Sequence, residues 1–393
     1  MASNGQSVLA RLPAIRAAAA DLRELLLADI VMIGEIPSPT FSEADRVSFI
    51  LERFADCGLQ NPSSDEVGNG FGLIPGSVGD HTIVVAANAD TIVEDPEDQT
   101  VEIEADRIEG PFVGDNSVGL AALTVLPTLL ERLGITLRAN LLLMTAARML
   151  NRGNLEGLKF YLGNASAPPV AGLYVEGVQL GRLNHACLGT LRGEIICRLP
   201  DDFEWAQHGK SGTILPMSDI VLMLSQIPLP QRPRTHLVTG MIRGGISCQN
   251  IARETRLGFE VRSESSQILD DVGARLREIT GLVASRSGVS VRLDLFTRRE
   301  PGGIEDTHPL VRGTRSVLEA LDLKPMMYLT TSPMSAFFER GIPALTLGIT
   351  RGSRSPEIDE IREYVDTAPM ATGLAQLAGT LMIMDEARNH ENS

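Results

Sequence analysis

The chain has 393 residues, 43% of them hydrophobic and 22% charged, with a formal net charge of −15. That length is long for one core and points to about two domains of an ordinary globular protein. The acidic balance argues against nucleic acid or an anionic membrane as partner and leaves small molecules open.

In chain order, residues 7–33 place apolar side chains at helical spacing, with Pro13 marking an interruption or a helix start. Residues 36–59 read as a loop, a Ser42 cap followed by Glu43 and Asp45 in a first turn, and a helix stopped at Gly58. Val67–Gly76 reads as a turn and a strand, and His81–Asp90 as a central strand of near-continuous apolar residues. Gln99–Gly114 alternates like a hairpin, and Gly110–Thr124 then opens a helix that is buried on one face and ends at Gly134. A strand from Leu137, a helix over 153–164 and a strand over 169–177 follow. This alternation predicts a mixed, largely parallel sheet sandwiched by helices, with polar strand ends forming a crevice site.

The pattern changes at Arg192. Residues 192–299 read as β-α-β-β-α-β, a smaller α+β domain inserted into a first domain made of 1–191 and 300–393. Its helix around Ser218–Ile227 and strand around His236–Ile242 carry more apolar residues than one face needs, which predicts a homodimer through the insert. Cys57, Cys187, Cys197 and Cys248 are scattered without a C-x-x-C pair, as suits reduced, buried thiols. No run approaches the roughly 18–20 apolar residues of a membrane span, and no apolar leader core stands at the N-terminus. A cytoplasmic protein is expected.

Several motifs, in this order, resemble one known family. They are ANAD (87–90), GPFVGDNSVGLAAL (110–123), RGNLEGLKF (152–160), LYVEG (173–177) and GIPALTLGITRG (341–352). Together they resemble the co-catalytic zinc hydrolases that include aminoacylase, carboxypeptidase G, acetylornithine deacetylase and peptidase T. The likeness runs from Ile33–Glu43 to Glu363–Leu377. It implies an insert that makes the dimer contact and closes over the active site. It also implies two zinc ions held by imidazoles and carboxylates, with a carboxylate base beside a metal-bound water.

The reactive letters depart from that pattern. Asn88 stands where the resemblance implies a histidine ligand, Met149 where it implies the base, and Leu150 where it implies another ligand. Asp115 and Glu176 are retained, as is Asp90 beside Asn88. The C-terminal histidine position falls on Asp359 or Pro356. The vestigial metal positions are therefore Asn88, Asp115, Leu150, Glu176 and Asp359, and no cofactor is expected. Amide and hydrocarbon side chains are poor zinc ligands, whereas a residual oxygen set would suit Mg²⁺ or Ca²⁺ better. Without a metal, Arg148 or Arg354 could supply the charge that buried carboxylates require.

Cleft candidates for catalysis are Asp115, Arg148, Glu176, Ser332 and Ser335. No Gly-x-Ser-x-Gly elbow or Ser/His pairing accompanies these serines or Ser353 and Ser355. Candidates for holding a ligand are Asn88, Asn116, His208, Gln249, Asn250 and Arg354. Phe203 takes the place of a clamp histidine, while His185 and Arg262 match the resembled pattern. Three functions remain open. One is a small-molecule binder for an acyl-amino-acid or peptide-like ligand, with or without metal-independent acyl-transfer or amide chemistry. The others are a non-catalytic subunit of another enzyme and a residual metal-dependent amidohydrolase.

Overall fold

Residues 82–88 read TIVVAAN, and in the computed structural model, which describes residues 2–92, 98–200, 212–353 and 362–387, they form a central strand. The chain folds as two units, residues 1–186 with 303–393, and residues 187–302. The first unit begins with α1 (Ala2–Ala20), α2 (Arg23–Gly34), α3 (Ala44–Asp56), β1 (Gln60–Ser64), β2 (Gly70–Ile74) and β3 (Thr82–Asn88). It continues with β4 (Glu102–Ile103), β5 (Arg107–Pro111), α4 (Val118–Arg132), β6 (Asn140–Ala146), α5 (Glu156–Asn164) and β7 (Ala171–Val178).

The second unit holds β8 (Gly189–Arg198), α6 (Ile214–Ser225), β9 (Thr235–Gly244), β10 (Glu254–Ser263), α7 (Ser266–Ser287) and β11 (Ser290–Arg299). Its strands lie in the order β9-β10-β8-β11, every pairing antiparallel. Leu191, Ile195, Leu257, Phe259 and Val261 point from alternate positions into a core shared with α6 and α7. The opposite sheet positions carry charge: Arg192 and Arg262 both pair with Glu260, and Arg256 pairs with Glu194 and Glu254.

The first unit resumes with α8 (Pro309–Ala320), α9 (Met334–Phe338), β12 (Ala344–Thr350), β13 (Gly352–Ser353), β14 (Arg362–Asp366) and α10 (Met370–Ala387). Among the described residues its main sheet has the order β1-β2-β6-β3-β7-β12. The pairings β6-β3, β3-β7 and β7-β12 are parallel, and β1-β2 and β2-β6 are antiparallel. A smaller sheet, β13-β14-β5-β4, lies beside it. Ile83 and Val85 face the core under α4 and α10, while Val84 and Ala86 face a second cluster with Phe337 and Tyr174. Both faces are thus covered, which is why β3 lacks polar alternation.

Three local expectations are corrected. α1 runs through Pro13 and breaks only at Asp21–Leu22. Pro13 is exposed, and the buried stripe Val8, Leu12, Ile15 and Ala19 holds the helix across the missing amide hydrogen bond. Ser42 does not cap α3, whose N-cap is Glu43 with no side-chain cap bond. Glu43 instead accepts the backbone N–H of Phe41 at 2.9 Å and of Arg148 at 2.8 Å. One stretch, Val113–Arg132, does reach membrane-spanning length and apolarity, but it is 89% buried and serves as the core helix under β3.

Candidate functional site

The carboxyl ends of β3, β6 and β7 bring the candidate residues together, as expected of a largely parallel sheet. Asn88 closes β3 and is almost wholly buried. Its Oδ1 accepts the Tyr174 hydroxyl at 2.9 Å and Asn116 Nδ2 at 3.1 Å, and its Nδ2 donates to the Asp90 carbonyl at 2.9 Å. Asn116 Nδ2 also donates to the Val175 carbonyl at 2.9 Å. Gly119 makes this possible, because a Cβ there would lie 2.2 Å from Asn116 Oδ1.

Asp90 is completely buried. Its Oδ2 accepts Thr40 Oγ1 at 2.9 Å and the backbone N–H groups of Met149 and Leu150, each at 2.8 Å. Its Oδ1 meets no donor among the described residues. Burial pushes the Asp90 carboxyl up to about 7, and the bonds from Leu150, Thr40 and Met149 only partly oppose that rise. Arg46, also enclosed, spends its guanidinium on carbonyls: Nε donates to Ile36 at 3.1 Å and Nη1 to Ala89 at 3.2 Å. Burial lowers it to about 10, and the charge of Asp90 opposes the fall.

Asp115 lies half-buried on the turn before α4 and is joined to Asn116 by a cis peptide. Glu363 fixes this turn by accepting the backbone N–H of Gly114 at 2.8 Å and of Asp115 at 3.0 Å. Glu176 is buried near the end of β7 and forms an ion pair with Arg182 Nη1. Arg182 Nη1 also donates to Gln179 Oε1 at 3.2 Å, and its guanidinium lies 5.7 Å from the centre of the Tyr328 ring. With the Asn184 amide in its satisfied orientation, Arg182 Nε and Nη2 donate to it at 3.0 and 3.1 Å.

The structure disperses the other candidates. Arg148 does not supply charge to a buried carboxylate. It pairs with Glu156 at 3.0 Å and stacks over Phe41, because a left-handed turn (φ +52°) aims it outward. Met149 packs its side chain into the apolar cluster of Val84, Leu155 and Leu158. Leu150 contributes its backbone N–H to Asp90. Ser332 is buried against Thr346 Oγ1 at 3.2 Å, and the buried Ser335 hydroxyl has no partner among the described residues. His185 Nδ1 lies 2.7 Å from the Ile304 carbonyl oxygen.

In the second unit, Gln249 and Asn250 are exposed on the loop before β10, where Asn250 Nδ2 donates to Ser247 Oγ at 2.8 Å. They line a cleft of about 790 Å³ with Ile246, Ile251 and Arg253. Phe203, His208, Arg354, Pro356 and Asp359 lie outside the described residues. Among the described residues, no three His, Cys, Asp or Glu side chains are grouped to hold a metal ion.

Sequence reasoning missed Arg182, Arg46, Tyr174 and Thr40. Tyr174 had a signal, since it stands two residues before Glu176 and strand periodicity puts both on one face. Arg182 had a weaker one, a buried-type carboxylate six residues upstream in the same short segment.

No protein-family model matches the sequence, and none of the curated proteins does. Solved structures do match over nearly the whole chain. The di-peptidase Dug1p of Saccharomyces cerevisiae superposes with a TM-score of 0.77 at 13% identity, covering 95% of this chain and 98% of its own. Human carnosine dipeptidase 1 gives 0.76 at 10% identity, covering 95% and 100%. A dinuclear metal-binding M20-family peptidase from Bacillus subtilis gives 0.62 at 14%, covering 94% and 99%. This chain has the M20 peptidase fold. The resemblance read from the sequence holds at that level, and so does the mixed, mostly parallel sheet flanked by helices.

Proposed function

We propose that this M20-fold chain is not a zinc hydrolase. On this reading it holds an acyl-amino-acid or peptide-like small molecule where metal-dependent relatives hold substrate. The observation that carries the reading is the state of Asn88. Both ends of its amide are bound to protein groups, so neither remains for an ion. The neighbouring positions agree: Met149 is core hydrocarbon and Leu150 offers only its backbone. These residues do not fit a two-zinc centre. Loss of the carboxylate base alone would cost about 10²–10⁴-fold in rate. Asn88, Asn116 and Tyr174 are buried and bonded to one another, so on this reading they shape the floor of the site, and any acyl-transfer or amide chemistry above it would be metal-independent.

A second reading, a non-catalytic subunit, draws on the other unit. Its edge strand β9 exposes Val238 and Ile242, and Ile246 follows at 89% exposure. An open edge with apolar side chains invites pairing with another chain. On the second reading the partner is an active homologue or another enzyme, and co-purification tests it. The same edge would serve the homodimer expected of a cytoplasmic protein, which light scattering giving a monomer at micromolar concentration would remove.

Elemental analysis of the purified protein, with assays on N-acyl amino acids and dipeptides, tests the main reading. The expected result is no stoichiometric zinc and no hydrolysis, with thermal stabilisation by some of these compounds. One zinc or more per chain with chelator-sensitive amidase activity would return the chain to the metal hydrolases.

A further inference from the structure

Glu176 presents a question of its own. A carboxylate at the buried end of a central strand must be neutralised or matched by a cation. In a metal-bearing M20 enzyme an ion can do this. Here a following segment of the same chain supplies the charge. After β7 the backbone turns through two left-handed residues, Gln179 (φ +71°) and Gly181 (φ +91°), and carries Arg182 back over Glu176.

The guanidinium is closed in on every side that is described. Glu176 and Gln179 take Nη1, the Asn184 amide oxygen takes Nε and Nη2, and the Tyr328 ring covers its face. Tyr328 is held in turn by a hydrogen bond from its hydroxyl to Gln179. Arg182 is 3% exposed, so it is built into the fold and unavailable as a surface contact. The turn that bears Asp115 packs against the same strand: a Cβ on Gly177 would lie 2.4 Å from the Gly114 carbonyl oxygen.

The geometry points to Arg182 as an internal counter-cation that takes the place of a metal ion at Glu176 and keeps metal from binding there. This rests on the reading that the protein is not a zinc hydrolase and adds the residue that enforces it. The role belongs to the charge and not only to the volume of the side chain. A planar guanidinium is suited to it, because it meets a carboxylate, two amide oxygens and an aromatic face at once.

The test compares Arg182→Ala, Arg182→Met, Arg182→Lys and the double variant Glu176→Gln/Arg182→Ala by thermal unfolding, with and without millimolar Mn²⁺. Mn²⁺ is the probe because the exposed donors would be carboxylate oxygens. Arg182→Met should lower Tm by on the order of 5 °C. Arg182→Lys, which keeps the charge, should lose less than half as much. Mn²⁺ should raise the Tm of Arg182→Ala by several degrees and leave the wild type and the double variant unchanged.

If Arg182→Ala does not fold, the Met and Lys pair still decides, since equal losses would show that charge is irrelevant. Equal Mn²⁺ responses in the wild type and Arg182→Ala, or in Arg182→Ala and the double variant, would also overturn the inference. Zinc and amidase activity in the wild type would instead defeat the broader reading. The two failures are separable, because a metal-free wild type with an unresponsive Arg182→Ala defeats this inference alone.

Discussion

Asp90 and Glu176 sit at the ends of neighbouring strands, β3 and β7, and both carboxyls are buried, yet the fold keeps them by opposite means. Glu176 has a full cation against it, the Arg182 guanidinium. Asp90 has two backbone N–H groups and a threonine hydroxyl, while the nearby Arg46 is committed to carbonyl oxygens. Its ionised form is correspondingly disfavoured. A buried carboxyl can persist by acquiring a counter-charge or by giving up its own.

Exchanging each acid for its amide should separate the two cases most sharply. Glu176→Gln leaves Arg182 buried and uncompensated, and should cost about 3–5 kcal/mol of stability at pH 8. Asp90→Asn keeps an acceptor for the same donors and removes a disfavoured charge, so it should cost nothing there. Chemical denaturation of both variants checks this, and similar losses would erase the distinction.

The next effect is in pH. Asp90 has a folded pKa raised from 3.8 to about 7, so the native state binds its proton more tightly than the unfolded chain does. The associated stability is complete below about pH 4 and is lost as pH rises through 7. A tenfold difference in proton affinity is worth roughly 1.4 kcal/mol, so Asp90→Asn should gain on the wild type by on the order of 2–4 kcal/mol between pH 4 and 8. Denaturation midpoints measured across that range would show a constant difference if Asp90 were ionised throughout.

The smallest effect belongs to the amide network between the two acids. Tyr174→Phe removes one of two donors to Asn88 Oδ1 and leaves the other in place. It should cost about 1 kcal/mol, read by urea denaturation, with no change in metal content.

Much of the fold was legible in the sequence because its signals are local. The unbroken apolar run of β3, the helix opening after Asp115–Asn116, and the β-α-β-β-α-β succession of elements in 192–299 each follow from patterning. The site was only half legible. The sequence put an amide and two hydrocarbon side chains at Asn88, Met149 and Leu150, but gave no sign of the groups that surround them. Arg148 was the obvious cation by position, yet one left-handed residue turns it toward Phe41 and Glu156. Arg182 was hidden for the converse reason, since two such residues bring back a side chain that spacing alone would place beyond the strand.

The saturation of Asn88 has a consequence for its replacement. Its oxygen receives two donors and its nitrogen serves a third group. A neutral imidazole offers one acceptor and one donor. A histidine at position 88 could therefore accept from only one of the Tyr174 hydroxyl and the Asn116 amide. A glutamate at 149 would arrive in hydrocarbon surroundings under the same disadvantage. Each such substitution should therefore cost stability on its own, whether or not a metal ion is present.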